Sequence, residues 1–219
     1  MLLKGSVLRD LYPEQWMRTS CDIDVLVREE DLDNAVSVLQ KETEFKYPKR
    51  LYHDVSMMVP NVHLELHFSI KENMDNIDKL LSKAWEYAIE QEGARQHFFS
   101  PEYQIFHIVA HMSYHFVHGG LGIRPYIDLW LLRNKTNYDE NTVKKFCDQC
   151  GILKFYENCC DLFSVWLDGA EHDSVTLALE EYSIDGGVFG NQKKASLAIQ
   201  RKHKGIKCFF ARLFVFRQS

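Results

Sequence analysis

Cys21-Asp22-Ile23-Asp24-Val25-Leu26-Val27 sets two aspartates, one residue apart, at the mouth of an apolar, β-branched run. Hydrophobic burial alone puts no carboxylates there. A strand alternates its faces, so Asp22 and Asp24 are expected on one face, roughly 6–7 Å apart, with Ile23 turned the other way into a core. Two ionised carboxylates held so close repel each other unless a cation lies between them. Hard divalent cations such as Mg²⁺ take oxygen ligands of this kind and complete their shell with substrate phosphates. Asp-x-Asp at a strand edge also arises by chance, so the neighbouring sequence has to decide its meaning.

Upstream, Met1-Leu2-Leu3 reads as a short strand running into Lys4-Gly5-Ser6, and Val7–Tyr12 as one or two helical turns stopped by Pro13. Strand, Gly-Ser turn and helix start make a phosphate-binding arrangement. The glycine lets backbone approach an anion, and the N–H groups of the helix start attract it. A phosphate cradle followed by a paired-carboxylate strand points to metal-assisted chemistry on a nucleoside triphosphate.

Taken together, Leu3-Lys4-Gly5-Ser6, Leu11-Tyr12-Pro13, Arg18 and Asp22–Val27 resemble the bacterial nucleotidyltransferase-like proteins of the DNA polymerase β type, in particular their uncharacterised nucleotidyltransferase group. Leu64-Glu65-Leu66-His67, a helix carrying His107, His111 and His115, and Arg124 with Asp128 extend the likeness over most of residues 1–190. The resemblance implies an α+β fold: a small mixed β-sheet nucleotidyltransferase core with flanking helices, then a C-terminal helical domain. It implies a triphosphate over Gly5-Ser6, with Lys4 or Arg18 neutralising charge. Asp22 and Asp24 would hold two Mg²⁺, or Mn²⁺, roughly 3.5–4 Å apart. Glu65 would be the third carboxylate, binding one metal and drawing the proton from the acceptor hydroxyl, a position where many relatives carry aspartate. His67 would hold a phosphate or orient Glu65.

Alternation supports that reading of His63-Leu64-Glu65-Leu66-His67, whose polar residues share one strand face, although a merely solvated face gives the same pattern. His107, His111 and His115 recur every four residues and form a helical stripe ending near His118. A straight row of that kind spans about 12 Å, too far for three imidazoles to reach one ion. The preferred assignment is therefore a polar cleft wall in which His111, His115 and Arg124 hold the acceptor or a phosphate tail, with Asp128 beside Arg124. Packing between helices and zinc binding by a histidine pair plus a carboxylate stand as the alternatives.

The 219 residues, 46% of them hydrophobic, suffice for one large domain or two small ones. Strands are expected at 1–4, 22–28, 51–59 and 62–70, the last two joined by a turn at Pro60-Asn61. Helices are expected at 6–12, from 29 through Leu39, and at 75–91, 101–118, 122–133, 139–149, 151–167 and 172–182. The expected division is a nucleotidyltransferase core at 1–73, a helical domain at 74–185 and a basic segment at 186–219. The chain starts inside the Lys-Gly strand, so the core is expected to be truncated at its N-terminus. Eight basic residues and no acidic one follow Asp185, leaving a formal −13 on the body and +8 on the tail. Such a tail meets nucleic acid or an anionic membrane, or lies back on the acidic body, which supplies its counter-charge; the last is preferred.

No run approaches the roughly 18 apolar residues of a membrane span, and the start lacks a basic-then-apolar signal. Six cysteines without an export signal suggest reduced thiols and a cytoplasmic protein. Cys147-x-x-Cys150 and Cys159-Cys160 lie in helical patterns with a gap short for a zinc ribbon. The expected activity is transfer of a nucleoside monophosphate from a triphosphate to a small-molecule or protein acceptor hydroxyl, with pyrophosphate leaving. Two alternatives stand against it. One is a nucleotide-binding or antitoxin-like accessory protein that does not turn over. The other, less favoured, is a metal-dependent phosphohydrolase, suggested by His53-Asp54; in that fold the dipeptide is helical, whereas Leu51–Val59 has strand character.

Overall fold

The structure, a computed structural model, describes residues 1–42, 46–59, 62–93, 96–118 and 120–188. Two compact units divide the chain, Met1–Ser100 and Pro101–Ser219. In the first, α1 (Gly5–Leu8) and a 3₁₀ turn lead to β1 (Ile23–Leu26), α2 (Leu32–Glu42), β2 (Lys46–Arg50), β3 (Asp54–Val59) and β4 (Val62–His67). Strand order is β1-β4-β3-β2, with β1 parallel to β4 and the other neighbours antiparallel. This is the mixed sheet with flanking helices that the sequence leads one to expect.

Burial explains why one face of this sheet is apolar and the other polar. Three acids, Glu29, Glu30 and Asp31, precede α2 and suit the positive end of its dipole. From there Leu32, Ala35, Val36 and Leu39 form a helical stripe that packs on Val25, Val55, Met57, Leu64 and Leu66 of the sheet. Period-two alternation then sends Asp24, Asp54, Ser56, His63, Glu65 and His67 to the opposite face. The segment before α1 is tied to β1 by one antiparallel bridge, Leu2 to Val25. Leu3 N–H donates to the Asp24 carbonyl at 3.0 Å, and Leu26 N–H to the Met1 carbonyl at 2.7 Å.

Several elements depart from the sequence expectations, beginning with the strand expected at 1–4, which is reduced to the single bridge at Leu2. β2 replaces an expected connection; Pro48 fits there because β2 is an edge strand and its pairing with β3 shifts register between Lys46 and Lys49. The expected helix over 75–91 stops early: α3 spans Asp75–Leu81, a 3₁₀ turn covers Ala84–Tyr87, and β5 (Ala88–Glu90) pairs antiparallel with β6 (His97–Phe99). Gly93, at φ 77°, supplies the left-handed turn between those strands. Residues 74–100 therefore group with the sheet unit. The strands expected at 51–59 and 62–70 are shorter, and the turn at Pro60-Asn61 lies outside the described residues.

In the second unit α4 spans Pro101–His118 and is followed by α5 (Arg124–Lys135), α6 (Glu140–Gln149), α7 (Leu153–Asp168) and α8 (Ser174–Gly186). Every residue from Tyr103 to Ala110 is buried, so α4 is the central helix, packed on α5 and α6. Asp139 and Asp173 cap α6 and α8 by accepting backbone N–H groups; the Thr142 hydroxyl together with those N–H groups at Asp139, and the Thr176 N–H and hydroxyl at Asp173, hold both carboxyls below the usual aspartate range. Among the described residues no helix is long and apolar enough to cross a membrane. The basic segment beyond Val188 lies outside the described residues.

Candidate functional site

Two rungs of the sheet build the site. Asp24 on β1 pairs with Glu65 on β4, which pairs with Ser56 on β3. One rung along, His67 is set between Leu26 and Asp54. Because paired residues share a face, this register alone brings Asp24 together with Asp54, Glu65 and His67, residues 30 to 43 positions further along the chain.

His67 is at the centre. Its Nε2 donates to Asp24 Oδ1 at 2.7 Å and lies 3.4 Å from Glu65 Oε2. Both ends of the shorter bond are buried, with side chains 5% and 7% exposed. Lys4 Nζ approaches the same Asp24 oxygen at 3.7 Å. On the other side His63 Nε2 is 3.5 Å from Glu65 Oε1 and 2.7 Å from Ser56 Oγ. The ligand atoms of Asp24, Glu65 and His67 all lie within 4.8 Å of one another, and so do those of His53, Asp54 and His67. Burial, and then the charge of Asp24, raise the Glu65 carboxyl above its ordinary value. A half-buried carboxylate with a raised pKa, beside a second carboxylate and an imidazole, suits both cation binding and proton acceptance.

The structure gathers some of the expected residues and separates others. Asp24, Glu65 and His67 meet. Asp22 precedes β1, and its Oδ1 accepts the Ser20 hydroxyl at 2.8 Å; it belongs to neither three-residue group among the described residues. Ile23, expected in the core, is 38% exposed, because β1 is an edge strand and the α2 core takes in only Val25 of β1 and Val27 just after it. Lys4 adopts φ 44° and ψ −118°, a conformation that costs a non-glycine residue about 1–3 kcal/mol and here accompanies the approach of its ammonium to Asp24. Gly5 is buried, and a Cβ there would meet Ser20 Oγ at 3.0 Å and Arg18 Nη1 at 3.3 Å. The expected cradle of backbone donors is largely committed: Ser6 N–H donates to the Leu3 carbonyl, and Val7 and Leu8 N–H to that of Lys4. What this turn offers an anion is the Ser6 hydroxyl and the Lys4 ammonium; Arg18 is buried, and one of its guanidinium nitrogens donates to the Thr19 carbonyl at 2.9 Å.

The remaining expected residues belong to the helical unit. His107 is buried in the α4 core. His111 and His115 stand edge to face with their Nε2 atoms 3.0 Å apart, and His118 Nδ1 lies 2.8 Å from the Tyr114 carbonyl. On α5, Asp128 is buried and Arg124 half-buried.

Two participants escape sequence reasoning. Asp54 is 3% exposed, with Oδ2 3.2 Å from His53 Nε2, and His53 stacks on His67 at 5.7 Å between centroids. His53-Asp54 is conspicuous only as a helical hydrolase motif, and here it begins a strand, as its apolar β-branched context implies. Alternation of Asp54, Ser56 and Met58 against Val55 and Met57 is the signal that puts Asp54 on the polar face.

No curated protein and no solved structure matches this chain. One protein-family model does, that described as uncharacterised nucleotidyltransferase, over residues 1–168, a span that contains every residue of the sheet site. The chain belongs to the uncharacterised nucleotidyltransferase family.

Proposed function

We propose that this protein transfers a nucleoside monophosphate from a nucleoside triphosphate to an acceptor hydroxyl in a reaction that depends on a divalent cation. The observation that carries the reading is the convergence of Asp24, Glu65 and His67 within 4.8 Å on adjacent parallel strands, next to the Lys4-Gly5-Ser6 turn. Family membership supports nucleotidyl transfer in general. Two carboxylates are oxygen donors that Mg²⁺ or Mn²⁺ accepts, and Asp24 and Glu65 repel each other without such a charge between them. Asp24 and Glu65 would hold the cation, with the His67 ring positioning Asp24 through its hydrogen bond and Asp22 joining once its carboxylate leaves Ser20. The cation, when bound, supplies positive charge at the reacting phosphate.

The chain's own groups do the rest. Lys4 and Arg18 neutralise the triphosphate, and the Ser6 hydroxyl donates to it. Glu65 accepts the acceptor's hydroxyl proton, the freed oxygen forms a bond to the α-phosphorus, and the bond from that phosphorus to the β-phosphate's bridging oxygen breaks. Pyrophosphate leaves with the electron pair. His111, His115, Arg124 and Asp128 are the proposed acceptor-binding residues, and the acceptor is a small molecule or a protein.

The test incubates the protein with each α-labelled ribonucleoside triphosphate, Mg²⁺ or Mn²⁺, and fractionated small-molecule and protein acceptors. The expected result is label transfer with equimolar pyrophosphate, lost in Asp24→Asn and Glu65→Gln. Release of orthophosphate alone would instead show a phosphohydrolase, and nucleotide binding without release an accessory protein; either overturns the proposal.

A further inference from the structure

On the side of His67 away from the nucleotide turn lies a second donor group with a different chemistry, two imidazoles and one carboxylate. The ligand atoms of His53, Asp54 and His67 lie within 4.8 Å of one another. Their placement follows from the fold: Asp54 pairs with His67 across the β3–β4 ladder, and His53 precedes β3 and stacks its ring nearly parallel to that of His67, at 14°. The backbone pins the same corner, since the His53 carbonyl accepts from Phe68 N–H at 3.1 Å and Ser69 N–H at 3.3 Å, and Leu51 N–H donates to the Asp54 carbonyl at 2.8 Å. These bonds fix where His53 sits although its side chain is 46% exposed.

An independent observation points to a ligand. Asp54 Oδ1 is fully buried and finds no hydrogen-bond partner among the described residues, although the Asp54 side chain is only 4% exposed. Leaving a buried acceptor unsatisfied costs about 1–3 kcal/mol, more for a charged one. The His53 ring engages only the other oxygen, Oδ2, at 3.2 Å. A cation bound by the two imidazoles and the carboxylate removes that cost and leaves open positions on its solvent side.

We propose that His53, Asp54 and His67 form a second metal site, selective for a borderline first-row divalent cation, zinc above all, over Mg²⁺. Donor type decides the class. Imidazole nitrogen suits zinc, copper, iron and nickel, whereas Mg²⁺ prefers an all-oxygen shell. Two histidines and one carboxylate with open positions is the donor count of a three-ligand zinc centre. His67 is common to both groups, so the second cation abuts the Asp24–Glu65 carboxylates through one ring. The proposal goes beyond the nucleotidyl-transfer reading and stands on binding, not on turnover.

The experiment treats the full chain with chelator, then titrates Co²⁺ and Zn²⁺ by calorimetry, with the visible spectrum of Co²⁺ reporting nitrogen ligation. One equivalent should bind with d–d bands of a mixed nitrogen–oxygen site, and a large excess of Mg²⁺ should not displace it. His53→Ala, which removes an exposed ring and leaves the core untouched, should weaken Co²⁺ at least tenfold and alter the bands; Asp54→Asn should do the same. Folding of each variant is checked by circular dichroism, and His53→Ala decides the matter if Asp54→Asn misfolds. Unchanged affinity and spectrum in His53→Ala, or no stoichiometric binding by the wild type, overturns the proposal and leaves His53 and Asp54 as a side-chain contact of the fold. Either result is independent of whether label transfer occurs.

Discussion

Asp24→Asn isolates the role of the charged cluster, and its effect can be worked from distances. In the metal-free protein the substitution removes the repulsion between Asp24 and Glu65, whose ligand atoms lie within 4.8 Å. At an effective dielectric of about 20 that repulsion is about 3.5 kcal/mol. The same change removes a charge-assisted hydrogen bond from His67 at 2.7 Å, worth about 1.5–3 kcal/mol, and the Lys4 ion pair at 3.7 Å. The two sides nearly offset, so the variant should fold with a stability within about 1.5 kcal/mol of wild type. Ligand binding breaks this near-equality. A Mg²⁺–triphosphate complex at a hundredfold excess over its dissociation constant stabilises a folded protein by about 2.7 kcal/mol, and a protein that does not bind it gains nothing. Urea unfolding of both proteins, with and without Mg²⁺ and a non-hydrolysable triphosphate, reads the difference directly. The expected pattern is near-coincident curves without ligand and a wild-type curve alone displaced with it. An undiminished displacement in Asp24→Asn would refute the cation-holding role of Asp24.

Gly5→Ala should cost about 1–3 kcal/mol in urea, since its Cβ would press on Ser20 Oγ at 3.0 Å, and Ser20→Ala in the same chain should recover part of the loss. No recovery would mean that the glycine is required by the backbone and not by that contact. Glu65, raised by burial and by Asp24, favours its protonated form when the metal-free protein is folded. Its contribution to stability is therefore present below the ordinary value of 4.5 and is lost as pH rises through the raised one. Glu65→Gln should flatten that part of the profile and raise the urea midpoint at neutral pH, and a profile identical to wild type would contradict the assignment. In the wild type, cation affinity should fall as pH drops through the same raised value, as calorimetry at a series of pH values can follow. Gly186→Ala should destabilise more than Gly187→Ala: the first Cβ would lie 2.7 Å from the Leu121 carbonyl oxygen, a backbone atom, whereas the second meets open space and is penalised only for its φ 70°, ψ −158° backbone, about 1–3 kcal/mol. Equal midpoints for the two variants would show that the α8 end gives way to the methyl group.

Helices were the most legible elements. α4 begins and ends where its apolar, histidine-bearing pattern does, at Pro101 and His118, because a long buried helix carries its period in every turn. Short strands were less so. Ala88–Glu90 reads as the tail of the helix before it, and only pairing with His97–Phe99, a contact invisible to local periodicity, makes it a strand. The site divides in the same way. Asp24, Glu65 and His67 announce themselves through i, i+2 spacing in apolar runs. Asp54 does not, because its role depends on which residue of β4 it meets, and nothing in Leu51–Val59 alone says so.

The register that decides this is held by the other face of the sheet. Val55, Met57, Leu64 and Leu66 are each at most 7% exposed beneath α2, and burying such side chains contributes about 1.5–3 kcal/mol apiece. Slipping β4 by one residue would turn Leu64 and Leu66 toward solvent and drive Glu65 and His67 into that apolar layer. Such a slip forfeits several kcal/mol of burial and adds the cost of desolvating a carboxylate among leucines. The apolar alternation therefore positions the polar one: residues that touch no ligand keep Asp24 opposite Glu65, against the repulsion of the two carboxylates, and Asp54 opposite His67. That explains how three carboxylates come to share one corner of a small sheet. It also places the cost of assembling the site in the folding of the α2-covered face, so that a cation need supply only binding free energy and not the register itself.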